Sequence, residues 1–159
     1  MGDIITSTPV IAGVSLLPLK QIPDDRGGVM HVLRADSSHF EQFGEVYVSC
    51  VKRGAVKAWK KHLRMKQNLA VPAGKIRMVI YDDREESASK GTVQEVITGA
   101  SNYGLLVVPS GVWYGFQGIG EGESLIVNCA TIPHDPLEVV RIDSDDNRIP
   151  YRWSGTSIE

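Results

Sequence analysis

Apolar and polar residues alternate in short runs along most of the chain, with a period of two rather than the 3.6 of a helix. Alternating or continuously apolar, β-branched segments occur at residues 10–17, 29–34, 44–51, 55–60, 67–71, 75–81, 93–98, 105–108, 112–116, 124–131 and 138–141. They recur about every ten residues, separated by turn-forming clusters. Examples are Pro23-Asp24-Asp25-Arg26-Gly27-Gly28, Pro72-Ala73-Gly74 and Asn102-Tyr103-Gly104. This cadence predicts an all-β sandwich or jelly roll, interrupted only by a short helical turn at 37–43. One domain is expected over residues 1–159, ending in a frayed tail at 154–159.

Composition agrees with that reading: 42% hydrophobic and 23% charged residues are ordinary globular usage. No apolar run approaches the roughly 18 residues of a membrane span, and the first residues lack a secretory signal pattern. A cytoplasmic protein without a membrane partner is expected. Cys50 and Cys129 both lie in apolar alternating runs, where they are expected to fill the core; two cysteines are too few for a disulfide scaffold.

The net charge of −2 conceals an asymmetry. Residues 52–66 hold Lys52, Arg53, Lys57, Lys60, Lys61, Arg64 and Lys66 with no acid among them, whereas the rest of the chain has ten basic against nineteen acidic side chains. Such a stretch implies an anionic partner. The acidic remainder would repel a long polyanion and no nucleic-acid module is recognisable, so a small phosphorylated ligand is expected rather than nucleic acid. A solvated charged strand face is the competing explanation.

If residues 55–62 form one strand, Val56, Ala58, Lys60 and His62 share one face, and Lys57, Trp59 and Lys61 the other. The small apolar side chains at 56 and 58 mark the first face as interior, which turns Lys60 inward unless a bulge releases it to solvent. An inward ammonium has to meet an anion or carbonyl, or have its pKa drawn down. Downstream, Pro109-Ser110-Gly111-Val112-Trp113-Tyr114 sets the Tyr114 hydroxyl at the mouth of a barrel.

These two segments resemble the places where metal-binding cupins carry their ligands. A metal-binding cupin has His-x-His and a following Glu in the first, then a His three residues after Pro-x-Gly. Here the series is Lys60, Lys61, His62 and Tyr114. A protonated lysine has no lone pair, and one imidazole with a neutral phenol is a poor ligand set, so no metal or other cofactor is expected. A metal-dependent cupin using unrecognised ligands is the weakest of the alternatives.

A wider set of motifs comprises Asp25-Arg26-Gly27-Gly28-Val29-Met30, Gly44-Glu45-Val46-Tyr47-Val48-Ser49, Lys52-Arg53-Gly54-Ala55-Val56-Lys57-Ala58-Trp59-Lys60, Tyr81-Asp82-Asp83-Arg84, Val108 to Phe116 and Ile149-Pro150-Tyr151-Arg152-Trp153. In this order they resemble the dTDP-4-dehydrorhamnose 3,5-epimerase family, over about residues 22–153. The resemblance implies a metal-free cupin-type jelly roll (a double-stranded β-barrel) and a homodimer that exchanges N-terminal strands, here about residues 1–20. It also implies action on nucleotide-linked 4-keto-6-deoxy sugars. Hydrogens at C3 and C5 flank the ketone, so a base removes one, the C4 oxygen carries the enolate charge, and an acid returns a proton to the opposite face.

By the same resemblance the family's base histidine corresponds to Lys60, the arginine before it to Lys57, and a substrate-binding histidine to Tyr114. The acid, a tyrosine two residues before a cysteine, corresponds to Val127. Arg26 matches the arginine that contacts the nucleotide, and His31 holds the place of the thymine-reading glutamate. Asp82 and Arg84 match an Asp-x-Arg pair, and Glu138 falls near a ligand-binding glutamate. Gln67 is counted with the substrate-binding side chains, and His134 lies in a loop where the family stacks an aromatic residue on the base. Family base and acid are both replaced, leaving three readings. Lys60 is itself the base, with its pKa lowered by Lys57, Lys61 and a low-dielectric pocket; or His62 is the base while charged Lys60 holds the enolate oxygen or a phosphate; or the barrel only binds a sugar nucleotide or related anion, or catalyses a different tautomerisation.

Overall fold

The structure, a computed structural model, describes residues 10–155. Its order is β1 (Ser15–Pro18), β2 (Gln21–Asp24), β3 (Gly27–Met30), β4 (Glu45–Val51), β5 (Val56–His62), β6 (Gln67–Ala73), β7 (Lys75–Tyr81), β8 (Val93–Gly99), β9 (Gly104–Val108), β10 (Trp113–Gly118), β11 (Ser124–Ala130) and β12 (Val139–Arg141). Single 3-10 turns occupy Ala100–Asn102 and Pro136–Glu138. Two five-stranded antiparallel sheets, β1-β9-β6-β11-β4 and β12-β5-β10-β7-β8, form a cupin-type jelly roll, and β2 and β3 make a separate hairpin. Among the described residues no helix is long and apolar enough to cross a membrane.

The main core lies between the sheets. Leu69 and Val71 of β6, Leu106 and Val108 of β9 and Ile126 of β11 meet Ile76, Met78 and Ile80 of β7, all 5% exposed or less. A second cluster covers the outer face of the β5 sheet, where the chain after β12 folds back and packs Ile149, Tyr151 and Trp153 on Trp59, Val79 and Trp113. The two clusters bury opposite sides of the same strands, which pins their register because a one-residue slip would exchange the faces.

Several expectations change. The segment 10–17 is strand only from Ser15, and 29–34 is strand only to Met30, because β2 and β3 pair across Asp24 and Gly27 into a hairpin that the polar, proline-containing sequence disguised as a turn. Residues 37–43 are not helical. Two consecutive turns, Ser37 N–H to Arg34 O and Phe40 N–H to Ser37 O, lead into extended chain tied down by the Gln42 amide on Thr131 O. The cysteines are not core filler: Cys50 is exposed and Cys129 half-buried, because the inward positions beside them are Glu45, Tyr47 and Ser49 on β4 and Ile126 and Asn128 on β11. The proposed strand exchange over residues 1–20 and the frayed tail fall partly on 1–9 and 156–159, outside the described residues.

Candidate active site

The alternation expected along β5 fails at one point. Phe116 of β10 faces Lys57 and Tyr114 faces Lys60, so a single residue, Gly115, opposes both Ala58 and Trp59. This is a bulge. A side chain at 115 would overlap the Cβ of Ala58 and press on Trp153, so glycine is what lets the bulged strand approach. The extra residue inverts the first half of the strand. Val56 and Ala58 line the outer face, Lys57 turns inward, and beyond the bulge Lys60 and His62 stay inward while Trp59 and Lys61 face out. Sequence reading foresaw a bulge only as a way to expel Lys60; the bulge instead adds Lys57 to Lys60's side.

A cavity of about 260 Å³ opens at this inner face, lined by Glu45, Tyr47, Lys60, His62, Met65, Tyr114, His134, Val139 and Arg141. A smaller chamber of about 80 Å³ continues inward to Lys57, Gln67 and Asn128, and shares Tyr47, Lys60 and Tyr114 with the first. A larger depression of about 540 Å³ lies on the outer face of β5 beneath Trp153, but neither histidine nor tyrosine lines it. The inner cavity therefore holds the imidazole and phenol groups, and the outer depression the carboxylates Asp143 and Asp145.

Three side chains in series form its most defined feature. His62, 7% exposed, meets the Glu138 carboxylate through Nδ1 and lies 3.0 Å from the Tyr114 hydroxyl through Nε2. The other Glu138 oxygen accepts the backbone N–H groups of Arg64 and Met65 at 3.0 and 3.1 Å. Burial alone would raise the Glu138 pKa, but the hydrogen bonds from His62, Arg64 and Met65 outweigh it and hold the group below its ordinary value. An ionised Glu138 can only accept, so Nδ1 carries a ring proton, and in the neutral imidazole Nε2 is then the acceptor for the Tyr114 hydroxyl. Burial pushes the Tyr114 pKa well up, so the phenol keeps its proton.

Local sequence explains this placement. Asp135 caps the turn Pro136–Glu138 by accepting the Leu137 N–H at 2.9 Å, with Pro136 at its first position, and so directs the Glu138 side chain, 3% exposed, toward β5. Gly111, at φ +85°, donates its N–H to His62 O at 2.7 Å and fixes the turn that feeds Tyr114 into β10.

Lys60 lies in a cross-strand row between Arg141 of β12 and Tyr114 of β10. Its pKa is lowered, first by burial and then by the positive charges of Arg141 and Lys57, and its ammonium has no ion-pair partner among the described residues. Of the other basic residues of the 52–66 run, Lys61 pairs with Asp83 at 2.5 Å, Arg64 with Asp135 at 3.1 Å and Lys66 with Glu41 at 2.9 Å, while Lys52 and Arg53 line neither chamber. Lys57 is half satisfied by Cys50 O at 2.6 Å. The anion-seeking charge thus narrows to Lys60, Lys57 and Arg141.

Of the other expected residues, Gln67 lines the inner chamber and its Oε1 accepts from Asn128 at 3.3 Å. Arg26 and His31 line neither chamber. Arg26 is 85% exposed on the β2–β3 hairpin and pairs with Asp24, and the His31 carbonyl accepts the Tyr103 hydroxyl at 2.7 Å. Asp82 is fully buried inside its own loop, bound by Arg84, Ser87 and Ser89; burial opposes its ionisation, but these partners hold its pKa far below the ordinary value. Among the described residues no three His, Cys, Asp or Glu side chains converge as a metal-ligand group.

The family model for dTDP-4-dehydrorhamnose 3,5-epimerase matches residues 8–159. The chain belongs to the dTDP-4-dehydrorhamnose 3,5-epimerase family. It is 35% identical over 145 residues, 90% of each chain, to the probable low-salt glycan biosynthesis epimerase Agl13 of Haloferax volcanii. It is 32% identical over 147 residues to the spore coat polysaccharide biosynthesis protein SpsL of Bacillus subtilis, covering 91% of this chain and 97% of that one. The crystal structure of a dTDP sugar isomerase from Desulfovibrio desulfuricans G20 superimposes with a TM-score of 0.89 at 46% identity, over 91% of this chain and 93% of that one. This membership makes the protein a sugar-nucleotide epimerase, an isomerase.

Val127, placed opposite the family's acid, projects from the outer face of β11, because its neighbours Ile126 and Asn128 are the residues that face the core and the inner chamber. No side chain at 127 reaches the cavity. Sequence reading also passed over Tyr47, Asn128 and Arg141 as site residues. For Tyr47 the only signal was a polar set, Glu45, Tyr47 and Ser49, alternating with Val46, Val48 and Cys50, and polar residues are ordinarily read as the outward face.

Proposed function

We propose that the protein epimerises a nucleotide-linked 4-keto-6-deoxyhexose by proton transfer at a carbon next to the ketone, using its own side chains and no cofactor. The observation that carries this reading is the Glu138–His62–Tyr114 series beside an uncompensated Lys60 ammonium. Glu138 fixes the tautomer that leaves His62 Nε2 free to take a proton. A phenol whose pKa is raised by burial makes a poor free phenolate, so Tyr114 and His62 act as a unit: the Tyr114 oxygen takes the proton from carbon as its own passes to His62. Electron density moves to the C4 oxygen, where Lys60 donates a hydrogen bond. One such donor, preorganised and partly dehydrated, is worth about 10²–10³ in rate. Lys57 and Arg141 flank Lys60 and suit the diphosphate.

Of the three readings open to the sequence, this selects His62 as base over Lys60, since Lys60 has no acceptor arranged to receive a proton from it. A homodimer in the cytoplasm is part of the same proposal and rests on the family resemblance; light scattering tests the dimer. The reaction is tested by incubating the protein with a panel of nucleoside-diphosphate 4-keto-6-deoxyhexoses in deuterated water. Deuterium at C3, C5 or both is expected, with an epimeric product. Ligand binding without label in any member of the panel would reduce the protein to a binding module.

A further inference from the structure

We propose that Tyr47 is the proton donor on the face of the sugar opposite His62. This rests on the epimerase reading above and assigns the second half of its chemistry to a residue that sequence correspondence had not singled out. Inversion at carbon needs two groups on opposite sides of one centre, because a group that returns the proton to the face it took it from leaves the configuration unchanged. The His62–Tyr114 unit occupies one wall of the cavity, on β5 and β10 of one sheet. Tyr47 stands on β4 of the other sheet, and lines both chambers together with Lys60 and Tyr114. Within the described lining of the two chambers, Tyr47 and Tyr114 are the only phenols, and they approach from opposite sheets.

The surroundings of Tyr47 fit a donor that must be recharged. Burial raises its pKa, so it enters the reaction protonated. Asn128, its direct cross-strand partner, donates Nδ2–H to the phenol oxygen at 2.8 Å, which leaves the O–H free to point into the cavity and steadies the phenolate formed after transfer. Tyr47 is 36% exposed, so solvent can restore its proton, whereas Tyr114 is 6% exposed. The step balances as follows. The C–H proton goes to the Tyr114–His62 unit and its electron pair forms the enolate. The enolate carbon then takes the Tyr47 proton from the other face while the C4 carbonyl re-forms. Tyr47 regains a proton from water, and His62 releases one.

The experiment is Tyr47→Phe in deuterated water, followed by NMR for label and for stereochemistry separately. The expected result is that epimer formation falls about 100-fold or more, while deuterium still enters the unconverted substrate at a rate within about threefold of wild type, because the His62 wall exchanges its proton and returns deuterium to the same face. His62→Asn is expected to abolish both. The ratio of exchange to inversion is immune to partial unfolding, which lowers both rates equally. If Tyr47→Phe lowers both rates in parallel, or leaves both unchanged, the assignment is wrong while the epimerase reading stands. If the wild type exchanges nothing with any substrate of the panel, the epimerase reading itself fails, and this assignment with it.

Discussion

Replacing Glu138 by glutamine separates geometry from charge at the base. The carboxylate makes three bonds, one oxygen to His62 Nδ1 and the other to the Arg64 and Met65 N–H groups. In Glu138→Gln the amide oxygen keeps the two backbone donors, so its NH₂ turns to the imidazole. Nδ1 must then accept, the ring proton moves to Nε2, and His62 offers Tyr114 a donor where the reaction needs an acceptor. Loss of one charge-assisted bond costs about 1–3 kcal/mol of stability. Loss of the base costs about 10²–10⁴ in kcat, or about 3–5 kcal/mol of transition-state stabilisation. KM changes little, because Glu138 lies behind His62 and does not line the cavity. Turnover by NMR, with a thermal melt as control, measures both effects. A Glu138→Gln variant with more than a third of wild-type kcat refutes the tautomer argument. The same carboxylate gives acid sensitivity of a defined sign: with its pKa depressed in the fold, it stabilises fully above its unfolded value of about 4.3, and that contribution disappears as pH falls through the lower folded value.

Lys60→Met is expected to abolish turnover yet stabilise the unliganded protein by about 0.5–2 kcal/mol, since a partly buried ammonium with lowered pKa is removed; a higher Tm together with lost activity checks it. The same penalty makes wild-type stability rise with pH between the lowered folded pKa of Lys60 and its unfolded value near 10.4, a slope absent from Lys60→Met in denaturant titrations. Gly115→Ala places a methyl against Ala58 and Trp153 at the bulge and is expected to cost about 1–3 kcal/mol, read from urea midpoints. Asp82→Asn, away from both chambers, is expected to destabilise by about 3 kcal/mol through the stranded Arg84 while kcat per folded molecule stays unchanged.

The strands were legible because each sheet has an apolar inner face, and alternation reports burial directly. Legibility failed where that link breaks. The β2–β3 hairpin buries almost nothing, so Pro23, Asp24 and Gly28 read as loop. On β4 the polar set faces a functional cavity and Val46 and Val48, 51% and 57% exposed, face outward, which reverses the usual inference and hid Tyr47. Along β5 the only cues to the bulge were two small residues on different strands, Ala58 and Gly115, whose juxtaposition exists only once β5 pairs with β10. Lys60, His62 and Tyr114 were still found, because an inward cation and a phenol after Pro-x-Gly are anomalous in any register. Glu138 was noticed as a ligand-binding residue, but its bond to His62 spans 76 positions and no local pattern announces it.

The most direct test of the account is a crystal structure with an unreactive nucleoside-diphosphate 4-keto sugar analogue. The C4 oxygen is expected within about 3 Å of Lys60 Nζ, with the reacting carbon held between Tyr114 on one sheet and Tyr47 on the other. A sugar seated in the outer depression beneath Trp153, or Lys60 engaged by the diphosphate with the ketone far from Tyr114, would contradict it.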